Sequence, residues 1–233
     1  MKYTGILLGF IIFLTGCNFS NDEDITVINE RFNRDTHGWT GGFSDYPVGE
    51  ESFYNLNFRR THLPAPLDTT QYALQIGGDN RSDDLFMFIK HRVRGLTPNK
   101  TYQVEFHIQL ASNAPEDSFG IGGSPGSSLF LKAGAVSFEP VPVIVEMDQT
   151  DAGYYQMNID KGNQIEDGED MILLGHIGHD GYDFEYKLID RVNSVPFEAT
   201  ASEEGMLWLI IGTDSGFEGN TTLYYNKIEV VIY

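Results

Sequence analysis

The sequence predicts an all-β protein, a sandwich of short antiparallel strands. Three observations carry that prediction. Residues Tyr102–Leu110 alternate apolar and polar without a fault, the period of a half-buried antiparallel strand. Short apolar runs recur between turn formers, and 25 glycines are spread over the 233 residues. No stretch holds its apolar residues at a sustained helical spacing.

The chain opens before any of these strands. Lys2 is the one charge ahead of Cys17, and Gly5–Leu14 is an apolar run. That run is shorter than the about 20 residues that span a bilayer, so residues 1–16 read as an export signal. Leu14-Thr15-Gly16-Cys17 resembles the lipobox of bacterial lipoproteins. The resemblance implies that Cys17 is the lipidation site and the first residue of the mature protein, with acyl chains such as palmitate as a membrane anchor. Cys17 is the single cysteine. With it lipidated, no disulfide is available, and the body must stand on its own core. Residues 17–24 are then the lipidated cysteine and an acidic tether, and 25–233 one β-sandwich domain. The acidic residues after Cys17 also resemble the surface-export signals of Bacteroidetes-type lipoproteins. Expected localisation is therefore the cell envelope, at the outer membrane and facing outward. Loss of Lys2 with the signal takes the formal charge from −19 to −20. A body so acidic, without a basic stripe, repels phosphate backbones, which argues against a nucleic-acid partner.

The strands follow in order. Tyr72–Ile76 runs into Gly77-Gly78, and Leu85–Ile89 continues towards Val93. Leu96-Thr-Pro-Asn-Lys100 places Pro and Asn where a turn wants them, and Tyr102–Leu110 follows. Tyr102, Val104, Phe106, Ile108 and Leu110 point one way, and Gln103, Glu105, His107 and Gln109 the other. Ser128–Lys132, Tyr154–Ile159, Met171–Ile177 and Phe197–Thr200 are further candidates. Met206–Ile211 is a continuous apolar run, expected to be covered on both faces. The last strand is Thr222–Tyr233, with Tyr224, Ile228, Val230 and Ile232 on a shared face.

Three of these pieces carry a resemblance. Arg31-Phe-Asn-Arg-Asp-Thr-His-Gly-Trp39 resembles the first strand of carbohydrate-binding modules with a galactose-binding-like jelly roll. Leu96-Thr-Pro-Asn-Lys-Thr-Tyr102 and its alternating strand resemble the middle strand of those modules. Thr222-Leu-Tyr-Tyr-Asn-Lys-Ile-Glu-Val230 resembles their last strand, with Asn226 where they usually carry Asp. The resemblance implies a jelly-roll β-sandwich that binds carbohydrate. Other pieces, among them Gly42–Pro47, Gly78–Phe88, Gly120–Gly126, Asn158–Asn163 and Gly212–Gly219, resemble a group of uncharacterised secreted bacterial lipoproteins, which implies a fold and no mechanism.

Candidate sites come from residue chemistry. Trp39, Phe43, Tyr46, Phe53 and Tyr54 lie in one stretch with Arg59, Arg60 and His62. Sugars stack on aromatic faces and are fixed by polar rims, and Arg matches the carboxylates of uronic or sialic acids. Trp39 reads as core; Tyr46, Tyr54, Arg59, Arg60 and His62 are the ligand-binding candidates. Asp79, Asp83 and Asp84 lie in one loop and offer hard oxygens to calcium; the alternative is a polar connection of Asx turns. Asp214 and Glu218 leave the most apolar strand and form a candidate acid/base pair for glycoside cleavage; the alternative is a glycine-containing hairpin loop. His176, His179 and Asp180 suggest zinc, although on a strand the two histidines face opposite ways. The chain has no Gly-x-Ser-x-Gly elbow, no His-Glu-x-x-His and no phosphate loop. The favoured reading is a lipid-anchored jelly roll that binds carbohydrate on the envelope without catalysis. The alternatives are a hydrolase or lyase acting on extracellular polysaccharide and a structural, adhesin-like envelope protein.

Overall fold

The structure, a computed structural model, describes residues 25–146 and 152–233; the signal, Cys17 and the tether lie outside the described residues. Among the described residues there are fifteen strands and no helix. They are β1 (Thr26–Arg31), β2 (Thr40–Ser44), β3 (Tyr46–Pro47), β4 (Asn57–His62), β5 (Tyr72–Asp79), β6 (Phe86–Arg94), β7 (Thr101–Ser112) and β8 (Leu129–Val136). There follow β9 (Pro142–Val145), β10 (Tyr154–Met157), β11 (Ile172–His176), β12 (Lys187–Val192), β13 (Phe197–Thr200), β14 (Met206–Ser215) and β15 (Asn220–Ile232).

One sheet has the order β12-β7-β15-β5-β4, with β1 also on β15 and β13 also on β7; the other runs β11-β8-β14-β6-β2. Every pairing within them is antiparallel. The chain crosses between the sheets from β5 to β6, β6 to β7, β7 to β8 and β14 to β15, the winding of a jelly-roll sandwich. Between the sheets lies one core. Val104, Phe106, Ile108 and Leu110 of β7 meet Leu207, Leu209 and Ile211 of β14 there. The alternation of β7 is thus realised, with its polar face paired across strands: Gln103 to Glu198, His107 to Asp190. In the preceding turn Asn99 takes a left-handed backbone (φ 57°), and the Thr97 N–H donates to the Tyr102 hydroxyl at 2.8 Å.

The last strand departs from the expected face. Its register on β7 shifts between Tyr225 and Lys227. A bulge adds one residue to one strand and so swaps the faces beyond it. Leu223 and Tyr225 therefore share the core with Ile228, Val230 and Ile232, while Tyr224 packs outside with Leu63, Ala73 and Ala111.

The expectation that β14 is covered on both faces holds. A small sheet, β3-β10-β9, adjoins the edge strand β2, and the segment from the end of β10 onward lies against the outer face of the five-stranded sheet. Met157, Ile159 and Met171 pack there on Phe86, Phe88, Val136 and Ile210. The cover comes so close that a Cβ at Gly134 of β8 would collide with the Asp170 carbonyl, which is why a glycine stands there.

Candidate functional site

The connections β5–β6, β7–β8, β11–β12 and β14–β15 leave the sandwich at one end. Their backbone is tied together. The buried Asn80 side chain donates to Ser215 O and Phe217 O and accepts from the N–H groups of Ser82 and Leu85. Ser124 and Ser127 donate to Glu116 O, and Glu218 N donates to Ile121 O. The guanidinium of Arg191 holds the carbonyls of His176 and Gly178. The Phe217 ring lies flat enough on Gly120 and Gly219 that a Cβ at either would strike it.

This braced frame presents aromatic rings to solvent. Phe119 is 98% exposed, Tyr182 91%, Ile121 72% and Phe184 60%. Exposure of this degree gains nothing for the core, and a cluster of such side chains marks a contact surface. Phe119 borders three adjoining depressions of about 410, 560 and 330 Å³. The first has Ile121, Phe184 and Phe217 as apolar walls and Asn113, Asn220 and Glu218 as polar groups. The other two add Glu116, Asp117 and Ser118. No lysine, arginine or histidine lines any of them.

The residues expected to bind ligand do not form one site. Tyr46 and Tyr54 are buried, 6% and 3% exposed, with ring centroids 5.4 Å apart in the main core. They are packing residues, and burial pushes the Tyr46 hydroxyl up to about 12. Arg59 lies on the opposite face of β4 from Arg60 and His62 and donates to Gln75. Arg60 donates to the carbonyls of Phe32 and Asn33 and lies over the Tyr72 ring, against which His62 also packs. Arg60 thus fastens a turn.

Asp79, Asp83 and Asp84 do not converge on a common point. Asp79 accepts hydrogen bonds from Asn55, Asn220 and Arg81, Asp83 is exposed with a left-handed backbone, and Asp84 faces Lys161 and Asp214. His176 lies 3.2 Å from Glu116, and His179 is buried with its Nδ1 accepting from Gly181 N. Among the described residues no three His, Cys, Asp or Glu side chains are placed to hold a metal ion.

The pair Asp214 and Glu218 is also separated. Glu218 is exposed at the loop end. Asp214 is wholly buried on the outer face of the five-stranded sheet, under the cover. Its Oδ2 lies 2.8 Å from Lys161 Nζ and 3.8 Å from Lys132 Nζ, and accepts from Gln164 N at 2.9 Å. Asp45, in the corner after β2 with a left-handed backbone (φ 64°), lies 3.2 Å from the same Lys161 Nζ. Lys132 is fully buried and donates to Lys161 O and Glu166 O. Burial draws its ammonium down, against the pull of Asp214. For Lys161 burial also works downward, but Asp214 and Asp45 outweigh it and the net shift is up. Burial pushes Asp45 up despite Lys161, and Asp84 up to about 6. Lys132, Asp45 and Asp214 are the buried members of this ion cluster, and Lys161 and Asp84 lie at its partly exposed margin.

No protein-family model matches the chain, and no curated protein matches it in sequence. Solved structures match in shape. One is the Clostridium thermocellum xylanase 10B with its CBM22-1 and GH10 modules, bound to xylohexaose (8% identity, 88% of this chain, 28% of that chain, TM-score 0.38). Another is the mannan-recognising module TmCBM27 (11%, 90% and 98%, 0.35). A third is the Stig cyclase Fisc from Fischerella sp. TAU (9%, 89% and 84%, 0.29). The chain spans 28% of that xylanase and 19% of the bacteriophage CBA120 tailspike protein 4 domain, which it also matches. Likenesses this distant concern general architecture and leave the ligand open.

Proposed function

We propose that the protein binds carbohydrate without catalysis, at the aromatic loop end, while the lipid on Cys17 holds it at the cell envelope. The observation that carries the binding reading is the exposed fin of Phe119, with Tyr182, Ile121 and Phe184 beside it, set among depressions that also offer Asn113, Asn220 and Glu218. Flat rings suit the apolar face of a pyranose, and amides and carboxylates suit its hydroxyls. The three adjoining depressions fit an extended chain better than a single sugar. Their acidic lining, free of cations, disfavours uronate and sialate ligands through like-charge repulsion. The ligand class is therefore a neutral glycan.

Titration calorimetry of the protein against neutral xylan, mannan and glucan oligosaccharides and against uronate oligomers tests this. Binding confined to the neutral set, and weakened roughly tenfold or more in Phe119→Ala, is the expected result. Binding to uronates, or none to any of them, rejects the reading. For the anchor, Cys17→Ala is expected to move the protein from the membrane to the soluble fraction of its host. Unchanged membrane association removes the lipid from the account.

A further inference from the structure

The Asp214 cluster has a geometry that an ordinary ion pair does not explain. Asp214 Oδ2 gathers Lys161 Nζ, Gln164 N and, farther off, Lys132 Nζ. Its Oδ1 is buried with no hydrogen-bond partner. A buried carboxylate oxygen without a donor bears its full desolvation cost. One sheet face thus holds an amine against a carboxyl group, donors on one carboxyl oxygen and nothing on the other. Further carboxyls, Asp45 and Asp84, stand within the field of both, and the Phe86 ring lies 5.2 Å from Lys161 Nζ.

We infer that Lys161 and Asp214 condense into an intramolecular isopeptide bond that clamps the covering segment to β14. The reaction balances without a co-reactant: an ammonium and a carboxylate give an amide and one water. In the reactive state a proton passes from Lys161 Nζ to the Asp45 carboxylate 3.2 Å away, and the burial that raises Asp45 eases that transfer. The free amine then attacks Asp214 Cγ from contact distance. Negative charge builds on Oδ2, where the Gln164 N–H and the Lys132 ammonium are already aimed. Oδ1, the oxygen with no partner, takes protons and leaves as water. Asp84 and Asp45 are placed to shuttle those protons, and burial keeps the Asp84 carboxyl partly protonated near neutral pH, at about 6. The bond removes the orphaned oxygen and both buried charges at once. Lys132 is not the nucleophile, because its ammonium is engaged by two carbonyls at 2.6 and 2.7 Å and lies farther from the carboxylate.

The test is a tryptic digest of the full-length protein with tandem mass spectrometry. The expected product is a branched peptide joining the Lys161 and Asp214 segments, one water lighter than the two together, with no cleavage after Lys161. Lys161→Arg keeps the positive charge and gives two separate peptides of full mass, which distinguishes cross-linking from dehydration elsewhere in the chain. Two unlinked peptides from the wild-type protein overturn the inference whether or not the variant folds. The Asp45→Asn, Asp84→Asn double variant is expected to accumulate unlinked chain. Full linkage in it overturns the assignment of these groups as proton carriers.

Discussion

Two regions of this sandwich invert the usual partition of side chains. At the loop end, Phe119 and Tyr182 stand in solvent. On the outer face of the five-stranded sheet, Lys132 and Asp214 are wholly shut away from it. Either arrangement is unfavourable by itself: exposed rings forgo burial, and buried ions forgo hydration. The loop end tolerates its rings because hydrogen bonds through Asn80, Ser124 and Arg191 hold the backbone without help from packing. The charge cluster is tolerated, until Lys161 and Asp214 condense, because each ion faces an opposite one or a carbonyl. The difference separates a surface that displays its rings to solvent from a cluster that ties the covering segment to the sheet.

That contrast is broken most forcefully from the buried side. Asp214→Ala leaves Lys161 and Lys132 with a reduced set of counter-ions under a covered face. A loss of about 3–5 kcal/mol in unfolding free energy is expected, read by urea denaturation. Glu218→Ala, four positions on but exposed, is expected to change stability by less than about 0.5 kcal/mol. Equal effects at the two positions would mean that Asp214 is not part of a cohesive cluster.

The converse holds at the loop end. Phe119→Ala and Tyr182→Ala are expected to leave the urea midpoint nearly unchanged. Each is expected to weaken neutral-glycan binding roughly tenfold or more, at least about 1.4 kcal/mol. A drop in stability without a drop in affinity would make these rings packing residues and the carbohydrate reading would lose its footing.

The contrast was only partly legible in the sequence. Strand β7 announced itself because one of its faces is core and the other solvent, so period two survives in the residue types. Lys132 misleads for the same reason. It alternates with Leu131 and Ala133 and so reads as solvent-facing, but residues more than twenty positions downstream cover that face. The bulge near Asn226 is invisible to a strict two-residue period, which puts Tyr224 on the face of Ile228, Val230 and Ile232, where the structure has Tyr225. Tyr46 and Tyr54 occupy a turn-rich stretch that suggests surface, yet Tyr155 of the distant β10 packs against Tyr46 at 4.9 Å. For the loop end a signal was present: Phe119 and Tyr182 stand among Gly, Ser and Asp residues, where a turn has no local use for a large ring. Nothing local shows that these two loops, some sixty residues apart, meet around shared depressions.

The smallest expected effect concerns pH and sharpens the buried side of the comparison. Burial raises Asp84 from the ordinary 3.8 to about 6, over the opposing pull of Lys161. Between these values the folded protein binds more protons at this group than the unfolded chain does. Linkage then makes the Asp84 contribution to stability fall as pH rises through the window from about 4 to about 6, the reverse of the usual salt-bridged carboxylate. Asp84 is partly exposed, so its contribution is about 1 kcal/mol after discounting for solvent screening. Asp84→Asn carries no charge to desolvate, so it is expected to flatten this decline and to be more stable than wild type near pH 7. Urea midpoints on either side of the window measure it. A difference between wild type and Asp84→Asn that stays constant across the window would place Asp84 in solvent, outside the buried cluster.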